Sequence, residues 1–68
     1  MNTTREAASK FNPMIGCNVA DTCSLVASVL DVLGNINYSE AGTGLDIGLA
    51  LVTQTAAKAL RFEAGEDD

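Results

Sequence analysis

Cys17 and Cys23 are the side chains in this chain best suited to nucleophilic or soft-metal chemistry, and neither has the company that such chemistry needs. A thiolate becomes a nucleophile when a neighbouring base or cation lowers its pKa. Here there is no His, and the only cations are Arg5, Lys10, Lys58 and Arg61. A tetrahedral zinc site would have to complete two thiolates with carboxylates or a second chain, and the Cys17 to Cys23 spacing matches no common finger or ribbon. A bridge between them would close a very small loop and stabilise little. Both therefore read as buried small hydrophobes. The acids are scattered along hydrophilic stripes rather than paired among apolar neighbours, which leaves general acid–base chemistry without a site. Gly42, Thr43, Gly44 and Gly48 resemble a phosphate cradle but lack the lysine and the preceding strand. These residues predict a protein that is not an enzyme and uses no cofactor or metal.

Charge narrows the partner. Nine acids against four bases give a net charge of −5, which disfavours a phosphate-binding surface and predicts no direct contact with nucleic acid. A basic partner is electrostatically easier, although nine acids are too sparse to imitate a closely spaced phosphate row. The first ten residues are polar and lack the apolar segment of a secretory signal. The apolar stretches around 25–33 and 49–52 fall short of the roughly 20 residues that cross a bilayer. The expectation is a cytosolic protein without a membrane partner.

The elements that must carry any function are an arm at 1–17, an antiparallel two-helix hairpin at 18–64 and an acidic tail at 65–68. Thr3 followed by Glu6 has capping-box spacing, so the arm is expected to carry a short helix that Pro13 ends by Asn12. Phe11, Met14 and Ile15 are expected to fold over the helix core. Asn18 is the predicted N-cap of the first long helix, with Asp21 in its first turn, and the periodicity carries that helix to about Asn37. Val26, Val29, Leu33 and Ile36 form its seam. Residues 37–43 make a short hydrophilic connection, which sets consecutive helices antiparallel. Thr43 with Asp46 three residues on predicts the start of the second helix, which runs to about Glu63 before Gly65 breaks it. Leu45, Leu49, Val52, Ala56, Ala59 and Leu60 make one seam there, with Ile47, Leu51 and Phe62 to one side.

The polar stripes of both helices are thin. Apolar residues of the first helix spread around more than half its circumference, so a lone hairpin leaves a second apolar surface without a neighbour. A 68-residue chain also needs a staple beyond its own core. Both observations predict an all-α homodimer in which two hairpins make a four-helix bundle, with Val26, Val29, Leu33, Leu49, Val52 and Leu60 in the dimer core. Small residues on the second helix, among them Gly44, Gly48 and Ala57, permit close helix approach. Tyr38, the single Tyr in a chain without Trp, sits at the connection and is the first candidate for a partner contact. Arg61 and Pro13 are the other two.

From the Thr-Thr-Arg-Glu-Ala-Ala-Ser-Lys arm through Asn-Ile-Asn-Tyr-Ser-Glu at the connection to the acidic end, the chain resembles a small phage quorum-sensing anti-activator. The resemblance implies a helical-hairpin homodimer in the host cytoplasm that binds the DNA-binding region of a LuxR-type transcription activator and blocks promoter binding. It implies the type IV pilus assembly ATPase as a second target, and Tyr38 as a contact residue. Two other readings stay open: an anti-CRISPR or other phage inhibitor of a host nucleic-acid machine, and a purely structural dimerisation module.

Overall fold

Thr4 opens the first helix by accepting the Ala7 N–H on its hydroxyl at 3.2 Å, and α1 then runs Arg5–Phe11. The computed structural model describes residues 4–37, 39 and 44–66, and among these every regular element is helical. Thr3 lies outside the described residues, and the cap falls one position later than the capping-box spacing suggested. Asn12, with extended backbone, ends α1 ahead of Pro13. Its side chain then turns the chain back by donating to the Thr55 carbonyl and accepting the Met14 N–H, both at 2.9 Å.

The second helix, α2, spans Val19–Gly34 and the third, α3, spans Leu45–Glu63. Asn18 caps α2 as predicted, accepting the Asp21 N–H at 2.8 Å. The far end of α2 comes three residues before Asn37. Asn35 adopts φ −106° and ψ 1°, and its side-chain amide donates to the Asp31 carbonyl at 2.7 Å, the acceptor its own backbone N–H would use in a continuing helix. Gly65, at φ +85°, closes α3. Glu66 N–H reaches the Arg61 carbonyl and Gly65 N–H the Phe62 carbonyl, the paired bonds of a Schellman ending. Tyr38, Thr43 and the predicted capping box with Asp46 involve residues outside those described.

The two long helices pack along the expected seam. Val26, Ala56 and Ala59 are buried in it, Val29 and Val52 border it, and Met14 and Ile15 from the arm close it. Three apolar expectations fail. Phe11 is 90% exposed, because Asn12 and Pro13 turn the chain only after it and the returning Met14 and Ile15 fill the space over the core. Leu60 is exposed while Phe62 packs against the core, since the seam runs Val52, Ala56, Ala59 to Glu63 and leaves Leu60 to one side. Cys17 and Cys23 are free and exposed, one in the bend before α2 and the other off its seam.

Candidate functional site

The seam does not remain apolar to its end. One turn before Val26 stands Thr22, and one turn after Ala59 stands Glu63, so the two helices bring a hydroxyl and a carboxylate together where core side chains would otherwise meet. Thr22 is fully buried and donates to Glu63 Oε2 at 2.6 Å while accepting the Gly16 N–H at 2.9 Å. Arg5 arrives from α1 and grips the same carboxylate with both ends of its fork, Nη1 to Oε2 at 2.6 Å and Nη2 to Oε1 at 2.7 Å. Its Nη1 also donates to the Gly16 carbonyl at 3.2 Å, and the guanidinium lies 5.4 Å from the centre of the Phe62 ring.

This polar hub ties all three helices to Gly16 in the link between α1 and α2. The Glu63 side chain is 8% exposed and that of Arg5 31%. The hydrogen bond from Arg5 holds the Glu63 carboxyl below its ordinary range, with the Thr22 hydroxyl adding in the same direction and desolvation opposing both. The same bond raises the Arg5 guanidinium. Asp21 completes the structure by accepting the Cys17 N–H at 2.9 Å. Gly16 is required beside it: a Cβ there would come within 2.6 Å of the Asp21 carboxyl carbon and 2.8 Å of its Cβ. With three protein donors on the Glu63 carboxylate, the hub is a structural joint between the helices.

The exposed surface has a different character. Among the described residues, Phe11, Val19, Leu25, Leu30, Val32, Ile47, Leu51 and Leu60 are large apolar side chains left in water. At about 100° per residue around a helix, Val19, Cys23 and Leu30 lie on one side of the α2 seam, and Leu25 and Val32 on the other. Antiparallel pairing places Thr53 and Leu60 of α3 beside the first set, and Ile47, Leu51 and Phe62 beside the second. The arm lies on the second side, since Asn12 bonds to Thr55 and Arg5 covers Phe62. The hairpin therefore has one flank partly strapped by the arm and one flank bare.

No known protein family, curated protein or solved structure matches this chain.

The residues singled out from the sequence are dispersed over this frame. Pro13 is exposed in the turn after α1, and Arg61 is exposed in the last turn of α3 on the side away from the seam. They do not converge on one site, and Tyr38 lies outside the described residues. Of the six positions assigned to a dimer core, Val26 is buried inside the single chain, Val29, Leu33, Leu49 and Val52 are half-buried, and Leu60 is exposed. Among the described residues, no three His, Cys, Asp or Glu side chains gather in metal-binding proximity, and no helix is long and apolar enough to cross a membrane. Sequence reasoning passed over Arg5, Gly16, Thr22 and Glu63. The signal available was two polar residues continuing the apolar seams at four-residue steps.

Proposed function

We propose that this chain is a non-catalytic binding protein that self-associates and acts by occluding a partner's functional surface. The observation that carries the reading is the exposure, among the described residues, of eight large apolar side chains on so small a body, Phe11 on the arm and seven on the two long helices, with the core already closed by the arm. Monomeric proteins rarely leave such surface uncovered without a protein to bury it. The resemblance to phage quorum-sensing anti-activators names the partner as the DNA-binding region of a LuxR-type activator in the host cytoplasm, with the type IV pilus assembly ATPase as a second target. The net charge of −5 supports this choice, because a surface that a transcription factor turns toward DNA is basic, and complementary charge speeds encounter.

The test is a competition assay. Purified chain added to a LuxR-type activator on its promoter DNA is expected to release the DNA at stoichiometric amounts, and Tyr38→Ala is expected to abolish release while leaving helicity and mass unchanged. Failure to bind the activator would remove this target, and a Tyr38→Ala protein that is merely less stable would return that residue to a structural role.

A further inference from the structure

We infer that α1 is a detachable strap pinned by Arg5, and that the seat Arg5 fills on Glu63, Phe62 and Gly16 accepts an arginine of a basic partner when the strap lifts. The choice of a basic partner rests on the function proposed above; the strap and its seat do not.

The strap is sparsely attached. No Cα of α1 lies within 8 Å of a Cα in α2 or α3, and none of its seven residues is buried. Ala8 rests against the core, while Glu6, Ser9, Lys10 and Phe11 are exposed. Among the described residues, every hydrogen bond from an α1 side chain to the rest of the fold comes from Arg5, two to Glu63 and one to the Gly16 carbonyl. A helix of seven residues is far below the roughly 12 needed to persist alone in water, so α1 melts once its pin is drawn. The melting stops at Asn12. That side chain is tied to the Thr55 carbonyl and the Met14 N–H, and Met14 and Ile15 beyond it are held in the core.

What the strap uncovers is shaped for one ionic group. Glu63 offers both carboxylate oxygens to a fork, the Phe62 ring lies 5.4 Å from the guanidinium carbon, and the Gly16 carbonyl accepts a further N–H. A planar guanidinium meets all three, whereas an ammonium matches the charge without the paired bonds. The Thr22 hydroxyl donates to Oε2 independently of Arg5 and keeps the carboxylate aimed after the strap leaves. The Arg5 side chain is 31% exposed, so the seat is reached from solvent. An arginine brought by a partner gains the contacts that Arg5 gives up, and its binding is thereby coupled to the loss of α1.

Hydrogen exchange on the unaltered protein is expected to show the amides of residues 8–11 exchanging at least roughly tenfold faster than those in the middle of α2 and α3, through an opening confined to the strap. Arg5→Met is expected to remove the protection of 8–11 while the two long helices keep theirs, because water reaches Glu63 as α1 leaves. Methylguanidinium titrated into Arg5→Met is expected to shift the Phe62 ring and Gly16 amide resonances to saturation. Methylammonium at equal concentration is expected to leave them in place, and adding Glu63→Gln to abolish the response. Protection of 8–11 that is lost only together with that of α2 and α3 overturns the strap, and this reading needs no variant to fold. A titration without shifts, or equal shifts from methylammonium, overturns the seat. Both measurements are made without a partner, so their outcome is separate from that of the competition assay.

Discussion

At one end of the hairpin Thr22, Glu63 and Arg5 meet, with three hydrogen bonds converging on the Glu63 carboxylate, while along the hairpin Val32, Ile47 and Leu51 stand largely in water. Beside an apolar core of Met14, Ile15, Val26, Ala56 and Ala59, the chain buries a few polar groups at one end and leaves several large apolar ones exposed along its faces. The physical sense is one of order. A buried carboxylate tolerates only the geometry that satisfies it, so the hub fixes where the arm and the two helix ends must sit. Exposed Leu and Val place no such demand and remain free for another surface. One region specifies the fold of the chain, and the other is left for a partner.

Two valines on α2 give the sharpest contrast. Val26 is 3% exposed and Val32 63%. Val26→Ala is expected to cost about 2–3 kcal/mol in chemical denaturation, from the lost transfer energy and the cavity left beside Ala56 and Ala59. Val32→Ala should stay within about 0.5 kcal/mol. Equal losses at the two sites would erase the distinction between interior and flank.

The hub can be probed without changing shape. Thr22→Val keeps the branched outline but removes the donor to Glu63 and the acceptor for Gly16, and is expected to cost about 1–2 kcal/mol in the same measurement. A neutral result would mean that the hub orders nothing.

Two glycines should respond with opposite signs. Gly16→Ala drives a Cβ into the Asp21 side chain and is expected to destabilise by about 1 kcal/mol or more. Gly48→Ala meets nothing within 4 Å inside α3 and is expected to stabilise by about 0.5–1 kcal/mol.

Acid should separate the regions last and most gently. Because the folded-state pKa of Glu63 is depressed, the stability it contributes is present above its ordinary value of 4.5 and is lost as pH falls below that toward the folded value. Hydrogen exchange is expected to show residues 5–16 losing protection in that window before the middle of α2 and α3 does. Simultaneous loss along the whole hairpin would argue that Glu63 is not the controlling group.

Much of this architecture is written locally. The Asn18 cap, the three- and four-residue steps through Val26, Val29 and Leu33, the matching steps through Leu45 to Ala59, and the break at Gly65 each lie within a turn or two of the residues they act on. The end of α2 was less legible, because Gly34 and Asn35 permit both a stop and a continuation, and the side-chain bond from Asn35 to Asp31 decides between them. Cys17 and Cys23 were misjudged for a related reason: small hydrophobes off the seam are exposed when no second layer covers them.

The two long helices, their shared seam and their surplus of apolar surface follow from residue type and spacing along each rod. It takes the folded chain to close Arg5 on Glu63 across 58 positions and to bring Met14 and Ile15 rather than Phe11 over the core. Glu63 continues the α3 seam, but nothing periodic in the arm marks Arg5 as its partner 58 positions away. The ion pair comes into being when the packing of α2 against α3 sets Thr22 beside Glu63 and leaves one charged group to be supplied by the arm.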